Sequence, residues 1–232
     1  MRIAVLSDIH GNLPALEAVA ADLEQHAPDQ VWCGGDVCFG GPWAKECIEW
    51  VRDAGWTTVK GNTDVWATGD AQGLPADADE AAQMSEMIRD VAAAHQLSDE
   101  DVSWLLNLPL GHKSPGGLLL VHGTPDTPFD APMPDAPAAA FAPYEGQATI
   151  VLYGHVHHAF MRRLAEGTLV LNPGSVGLPL DDDTASYLIV DRDAADLTFR
   201  HRRVPFDREA AASEARRAPD AITSWFLGKL EG

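Results

Sequence analysis

The chain has 232 residues, of which 46% are hydrophobic and 22% charged, and these values are ordinary for one globular domain with a substantial core. Its formal net charge of −19 argues against a nucleic-acid partner, because duplex binding depends on Lys and Arg that neutralise phosphates. No apolar run approaches the length that crosses a bilayer, and the N-terminus enters a strand without a signal-peptide pattern. We expect a single domain over residues 1–232 with no membrane partner.

The three cysteines indicate the compartment. Cys33, Cys38 and Cys47 make neither an even set nor a metal-binding pair. Two of them flank Asp36, but cysteine is a common small buried residue, and packing is the better interpretation. Reduced thiols are typical of a reducing compartment, so we expect a cytoplasmic protein.

Five short apolar runs, each bounded by Gly and polar residues, predict buried strands. They cover residues 3–6, 30–34, 56–59, 118–121 and 149–153. Two helices are predicted between the first three of these runs, because apolar residues recur there at helical spacing. The first is capped by Asn12, and the second starts near Pro42. Strand and helix alternate in this way up to residue 60, which predicts parallel strands joined by right-handed crossovers.

Residues 65–117 predict a mostly helical insertion between two strands. Residues 68–78 are rich in Gly, Ala, Asp and Pro and predict a loop. Apolar residues at helical spacing over 84–91 predict a helix, and Ser98 followed by Asp101 predicts a capping box that starts another. The insertion is a candidate wall of a substrate pocket.

The C-terminal half predicts a long loop, short strands and a final helix. Five prolines within residues 124–146 predict the loop, and a helix is expected over 207–230. The strands are predicted over residues 158–164, 167–171, 185–190 and 196–204. Their spacing suits antiparallel hairpins, so two facing mixed sheets with helices outside would accommodate both halves of the chain.

Each of the five apolar runs leads into residues that ligate metals in proteins. The seven candidates are Asp8, His10, Asp36, Asn62, His122, His155 and His157. Functional residues of open α/β sheets collect beyond the carboxyl ends of the strands. Alone, His10 could be a turn residue and His122 a core histidine bonded to backbone. Seven such residues at five strand ends favour a metal cluster.

The series Asp-x-His, Gly-Asp, Gly-Asn, His and Gly-His-x-His resembles the calcineurin-like metallophosphoesterase family. The segments 7–13 (SDIHGNL) and 171–175 (LNPGS) are most similar to its small bacterial branch of single-domain phosphoesterases and phosphodiesterases. The resemblance covers residues 1–64 and 118–178. It implies an α/β fold, a four-layer α/β-β/α sandwich of two mixed β-sheets flanked by helices, and two divalent metal ions.

The resemblance also implies how the ligands divide between the ions. The first ion would be held by Asp8, His10, Asp36 and His157, and the second by Asp36, Asn62, His122 and His155. We expect manganese, with iron, zinc or nickel as alternatives, because imidazole, carboxylate and amide oxygen suit all of them. Two such ions would lower the pKa of a bridging water, so that hydroxide forms near neutral pH. Asp36, Asn62 and His122 would then act in catalysis by positioning the metals and the phosphate.

Position 63 departs from the family pattern. Many members have His where this chain has Thr63, and that His is thought to help at the leaving-group oxygen. Because Thr63 cannot act as an acid near neutral pH, it is a weak catalytic candidate, and esters with poor leaving groups are disfavoured substrates. His158 could replace the acid, but beside His157 on a strand it should point to the opposite face.

Three further polar features are candidates near the site. Asp64 is expected to orient His122 or another ligand from behind. Asn12 is a second weak catalytic candidate, and both Asn12 and the turn over 172–175 would either contact phosphate or serve only as structural turns.

The leading hypothesis is a dinuclear metal-dependent phosphoesterase that acts on small phosphate esters, with a preference for phosphodiesters. A phosphomonoesterase acting on nucleotides or phosphoproteins is the alternative. A non-catalytic scaffold that binds phosphate ligands is a third hypothesis. The third is disfavoured because every metal position carries a competent ligand. The sequence carries no signal for the oligomeric state.

Overall fold

The computed structural model describes residues 1–193 and 197–230, which form two five-stranded sheets. The first sheet contains β1 (Arg2–Leu6), β2 (Gln30–Cys33), β3 (Thr57–Thr58), β9 (Ala185–Arg192) and β10 (Leu197–Val204), in the order β10-β9-β1-β2-β3. The second sheet contains β4 (Gly111–Lys113), β5 (Leu118–Val121), β6 (Ile150–Tyr153), β7 (Ala159–Arg163) and β8 (Leu169–Pro173), in the order β4-β5-β6-β8-β7.

Both sheets are mixed, as predicted. In the first sheet β1, β2 and β3 are parallel, whereas β9 is antiparallel to both β1 and β10. In the second sheet β5, β6 and β8 are parallel, and β4 and β7 pair antiparallel at the two edges. The carboxyl ends of the parallel strands therefore lie at one edge of each sheet, where the predicted ligands follow.

Alternating side chains bury both faces of each sheet. Ile3 and Val5 of β1 pack with Leu120 of β5 between the sheets, whereas Ala4 and Leu6 contact the helices on the outer face. The outer face of the second sheet packs on a 3₁₀ helix at Ala138–Tyr144 and its flanking loop. The sandwich is confirmed, but this fourth layer is thin.

Seven α-helices occur in the described residues, and two of their predicted caps are confirmed. The helices are α1 (Leu13–His26), α2 (Ala44–Asp53), α3 (Asn62–Trp66), α4 (Ala78–His95), α5 (Asp99–Asn107), α6 (Arg208–Ala215) and α7 (Asp220–Leu230). Asn12 caps α1 by accepting a hydrogen bond from the Ala15 N–H, and Ser98 and Asp101 form the capping box of α5.

The structure corrects two predicted elements and adds one strand. The helix expected over 207–230 is two helices, because α6 ends before Pro219, which has no N–H to continue the hydrogen-bond ladder. The loop over 124–146 contains the 3₁₀ helix. Strand β4 was not predicted, because its sequence is polar and it is a strand only through its pairing with β5. Residue 196 of the predicted strand 196–204 lies outside the described residues.

Across residues 1–193 and 197–230, the structure contains no helix that combines the length and the apolarity required to span a membrane.

Candidate metal centre

The loops after five strands meet at one place between the two sheets. Asp8 and His10 follow β1, Asp36 follows β2, and Asn62 begins α3 after β3. The other three candidates follow strands of the second sheet, His122 after β5 and His155 and His157 after β6. The backbone N–H of His155 donates to both carboxylate oxygens of Asp8, at 3.1 and 3.2 Å, and so joins the two sheets.

Four of the candidates form one half of the site. The Nε2 atoms of His10 and His157 are 3.2 Å apart. His157 Nε2 lies 3.3 Å from Asp8 Oδ1, and His10 Nε2 lies 3.6 Å from Asp36 Oδ2. These are the four residues that the resemblance assigned to the first ion.

The second half of the site contains Asn62, His122 and His155. Asn62 Oδ1 lies 2.9 Å from His122 Nε2 and 2.8 Å from His155 Nδ1, and those two ring nitrogens are 3.3 Å apart. His122 Nε2 is also 3.3 Å from Asp36 Oδ2. The structure thus brings all seven predicted ligands together in two groups that share Asp36.

The carboxylate of Asp36 lies between the two groups of ligands and is held in that position. Its Oδ2 faces His10 Nε2 on one side and His122 Nε2 on the other, whereas Oδ1 accepts a hydrogen bond of 2.8 Å from the Thr63 N–H. Ligand atoms of Asp8, Asp36 and His122 also lie within 4.8 Å of one another, so both carboxylates are near the middle of the site.

The tautomers of three histidines direct their lone pairs inward. The Nδ1 atoms of His10, His122 and His157 lie 3.0, 2.7 and 2.6 Å from the carbonyl oxygens of Phe39, Gly34 and Leu178, respectively. Since a carbonyl oxygen only accepts, each Nδ1 carries a proton, and in the neutral ring each Nε2 presents a lone pair. Nε2 atoms and carboxylate oxygens that face one another at 3.2 to 3.6 Å are held together by a cation between them, either a proton or a metal ion. The donor set therefore fits divalent metal ions.

The electrostatics of the site also favour positive charge. Burial alone would lower the pKa of His122, but the carboxylates of Asp36 and Asp8 raise it to about 9. Burial would raise the pKa of Asp36, yet His122 and His10 hold it well below its ordinary value. Burial lowers the pKa of His10 to about 4, because the neighbouring carboxylates raise that pKa by less than burial lowers it.

Five of the seven ligands have a backbone conformation that L residues rarely adopt. Positive φ angles of 59°, 50°, 55°, 68° and 57° occur at Asp8, His10, Asp36, His155 and His157, respectively. Each costs about 1 kcal/mol or more at a residue other than Gly, so the surrounding hydrogen bonds must hold it. Strain of this kind clusters where geometry serves a function.

Asp64 holds two of the ligand loops together. Its carboxylate accepts hydrogen bonds from the N–H groups of Asp36, Val37 and Gly61 at 2.9, 2.8 and 2.8 Å. Of the two expected alternatives, Asp64 acts on another ligand, Asp36, through its backbone N–H, whereas the Gly34 carbonyl orients the His122 ring. Asp64 instead fixes the backbone that carries Asp36 to the backbone that precedes Asn62.

We expect Asp64→Asn to destabilise the protein by about 1–3 kcal/mol, because an amide offers one accepting oxygen where three buried N–H groups need two. The melting temperature should fall and metal affinity should weaken with it, as followed by thermal unfolding and metal titration. Asp77→Asn is the matched control, since Asp77 caps α4 from an exposed position through one oxygen only. Equal melting temperatures for the two variants would contradict the role assigned to Asp64.

The other polar candidates support the site from behind. Asn12 donates from Nδ2 to the Gly177 carbonyl at 2.7 Å, and Ser175 Oγ donates to the Asp8 carbonyl at 2.8 Å. Asn172 Nδ2 donates to the Gly154 carbonyl at 2.6 Å. These bonds use the side chains to fix loop backbone, which is the structural alternative that the sequence left open.

Thr63 and His158 differ in their access to the site. The Thr63 side chain is buried and lines the cavity over the ligands, and its Oγ1 has no hydrogen-bond partner within the part of the chain that is described. His158 donates from Nδ1 to the Val156 carbonyl at 2.6 Å and does not line that cavity.

A cavity of about 440 Å³ opens over the ligands, and most of its walls are apolar. Its lining outside the ligand set consists of Thr63, Trp66, Met84, Met87, Leu178, Leu180, Trp225 and Lys229. The helical insertion contributes Trp66 and the two methionines, so this part of the wall lies where the sequence placed it. Sequence reasoning missed Trp225 and Lys229, because the apolar spacing of the last helix indicates packing and no motif marks the pocket.

Known proteins are similar to this chain over most of its length. Residues 1–195 match the calcineurin-like phosphoesterase superfamily domain. The uncharacterized protein MJ0912 of Methanocaldococcus jannaschii is 29% identical over an alignment of 236 positions, gaps included, that covers 90% of this chain and 89% of that protein. The crystal structure of a metallophosphoesterase from Sphaerobacter thermophilus is 29% identical, with a TM-score of 0.74 and 99% of each chain covered. The hypothetical protein PH1004 from Pyrococcus horikoshii is 21% identical, with a TM-score of 0.76 and 97% of each chain covered, and shows the same fold.

The resemblance seen in the sequence motifs is therefore confirmed over a much longer stretch than those motifs occupy. Clusters of buried histidine and carboxylate side chains that could hold a metal ion lie where the motifs predicted them. The chain belongs to the calcineurin-like phosphoesterase superfamily and is a metal-dependent phosphoester hydrolase.

Proposed function

We propose that this hydrolase acts on small phosphate esters at a dinuclear centre and prefers phosphodiesters and activated esters to simple alkyl monoesters. The observation that carries the proposal is Asp36 Oδ2, which lies 3.6 Å from His10 Nε2 and 3.3 Å from His122 Nε2. One carboxylate oxygen between two groups of ligands is the arrangement that a bridged pair of ions requires.

The ions, when bound, supply a nucleophilic water of lowered pKa and positive charge for the phosphoryl oxygens. The residues of the chain hold that arrangement in place. Asp8, His10, Asp36 and His157 would hold one ion, and Asp36, Asn62, His122 and His155 the other. The carbonyls of Phe39, Gly34 and Leu178 fix three of the imidazole rings, so the lone pairs are oriented before any ligand arrives.

The preference for activated esters follows from the groups that line the cavity. Apart from the ligands, Lys229 is the only titratable side chain among the described lining residues, and it lies on the last turn of α7. Thr63 lines the cavity at the sequence position where many family members have the His that helps at the leaving-group oxygen, and its hydroxyl supplies no acid near neutral pH. An ester whose alcohol is stable as an anion does not need that acid.

We expect metal-dependent turnover of bis(4-nitrophenyl) phosphate. The protein is stripped with a chelator and reloaded separately with manganese, iron, zinc or nickel, and metal content is measured by elemental analysis. Two ions per chain and a rate that appears only after reloading are the expected results. Comparison with 4-nitrophenyl phosphate separates a diesterase from a phosphomonoesterase, because the leaving group is the same. A panel of esters without any metal-dependent rate would support the binding scaffold instead.

We also expect manganese to raise the melting temperature of the stripped protein. A ligand that binds only the folded state stabilises it by about 2.7 kcal/mol at a free concentration 100 times its Kd. The buried carboxylates of Asp8 and Asp36, with the imidazoles around them, should make this shift large, since they form a concentrated set of ligands for a cation. Differential scanning calorimetry across a manganese series measures the shift. A melting temperature that does not change with manganese would contradict the proposed centre.

A further inference from the structure

The cavity over the metal ligands has a composition that restricts the organic part of the substrate. Two of its walls are aromatic, from Trp66 of α3 and Trp225 of α7. Two more come from the thioethers of Met84 and Met87 on α4. Leu178 and Leu180 complete the lining.

The two indole rings are held by a buried aromatic side chain behind them. Phe39 is fully buried, and its ring centroid lies 5.8 Å from that of Trp66 and 5.4 Å from that of Trp225, both edge to face. The Trp225 ring also lies 5.3 Å from the ring of ligand His10 and packs against the backbone of Gly40, where any side chain would collide with it. An aromatic wall is therefore fixed directly beside the metal ligands.

The cavity offers few polar partners to an organic group. Beyond the ligands, Thr63 and Lys229 are the only hydroxyl-bearing or charged side chains in the described lining. Trp66 and Trp225 add an indole N–H each, and that of Trp66 already donates to the Gln72 carbonyl. Lys229 follows Trp225 by one helical turn, on the same side of α7. A sugar or peptide placed here would find few hydrogen-bond partners on the apolar walls, and each hydroxyl or amide group buried against them without a partner would weaken binding. An aromatic ring would lose nothing and would stack or pack edge-on against indole and thioether groups.

From this lining we infer that the natural substrate is a small phosphate ester that carries an aromatic group, which occupies the cavity between Trp66, Met84 and Trp225 while the phosphate meets the metal ligands. The inference rests on the proposed function, because it places the phosphate at that centre. The cavity volume of about 440 Å³ is in the range of sites for small ligands rather than macromolecules.

The test measures binding of phosphonates, which are not hydrolysed, to the manganese-loaded protein. Phenylphosphonate should bind about 30-fold more tightly than methylphosphonate, because burying the ring removes additional apolar surface from water. Cyclohexylphosphonate should fall between them, since it has the volume of the ring without its flat face. Isothermal titration gives the affinities, and quenching of tryptophan fluorescence by the phenyl compound alone reports contact with the indoles.

A pair of matched variants separates the cavity from general surface effects. Leu180 lines the cavity and is 52% exposed, whereas Leu106 lies on α5 away from it and is 51% exposed. Leu180→Ser should weaken the binding of phenylphosphonate several-fold more than that of methylphosphonate, and Leu106→Ser should change the affinity of neither compound. Trp225→Ala should reduce the preference further, and Trp225→Phe should restore part of it.

Different results would contradict the proposed substrate class and the proposed metal centre. Equal affinities for the phenyl and methyl compounds would overturn the aromatic substrate class and leave the metal centre intact. A cyclohexyl compound that binds as tightly as the phenyl one would overturn the aromatic part of the inference. Absence of manganese-dependent binding for all three would contradict the proposed metal centre, and the substrate class would fall with it.

Discussion

Asp36→Asn should lower kcat by about 10³-fold or more and should reduce the metal content to one ion per chain or fewer. The variant removes the charge that two groups of ligands share, and a neutral amide oxygen is a poor bridge between two cations. Its oxygen can still accept the hydrogen bond from the Thr63 N–H. The NH2 of the new amide would then face the Nε2 atoms of His10 and His122.

The fold should therefore survive this substitution even though the centre is lost. The metal-free variant should be less stable than the metal-free parent without unfolding, because the neutral amide no longer pairs with the protonated His122 ring, whose pKa the Asp36 carboxylate raises. Elemental analysis, kcat on bis(4-nitrophenyl) phosphate and thermal unfolding of both metal-free proteins measure the three effects. Asp126→Asn, at an exposed position in the loop after His122, is the matched control and should change none of them. Two ions per chain retained in Asp36→Asn would remove Asp36 from the bridging position.

The strands that carry the ligands could be predicted from their burial, most clearly in β5 and β6, where it is complete. Residues 118–121 were predicted as a strand and form β5 without a residue of difference, because all four side chains are buried in the second sheet. Strand β3 is only two residues long, at Thr57–Thr58, although residues 56–59 were predicted. The motif after it was nevertheless placed correctly, since Gly61 and Asn62 follow the same turn out of the sheet.

The parts that could not be predicted depend on contacts between distant segments. Strand β4 consists of Gly, His and Lys, and only its pairing with β5 makes it a strand. Trp225 reaches the cavity because α7 packs over Phe39 and the ligand loop at Gly40, nearly 190 residues earlier in the chain. Periodicity showed that this helix has an apolar side, but it carries no information about which loop that side covers.

The role of Asp64 illustrates the same limit within a motif. Its position beside Asn62 suggested that it orients a ligand, and its carboxylate does act behind the ligands. Its partners are three backbone N–H groups rather than an imidazole ring. Backbone groups are present at every residue, so a sequence motif does not show which of them a buried carboxylate will accept from.

The rate of the unmodified enzyme should depend steeply on the pKa of the leaving group. Thr63 lines the cavity with an unpaired hydroxyl but cannot release a proton near neutral pH, so the departing oxygen must carry its own negative charge. At the limit of full charge on that oxygen, the rate falls by about tenfold for each unit of leaving-group pKa. The measurement is kcat/KM over a series of aryl and alkyl esters with one metal loaded.

Thr63→His should flatten that dependence. The new imidazole would extend into the cavity beside Asn62, where a proton donor can reach the leaving oxygen, and such a donor is worth about 10²–10⁴-fold when well placed. We expect about tenfold on poor leaving groups and less on nitrophenolate, since no neighbouring group has been shaped to orient the ring. Thr63→Val is the control, because it keeps the shape of the side chain and supplies no proton. A parent rate that does not vary with leaving-group pKa, when chemistry limits turnover, would show that another group already donates the proton. Lys229 would then be the candidate to test, because His158 bonds to backbone and lies outside the cavity lining.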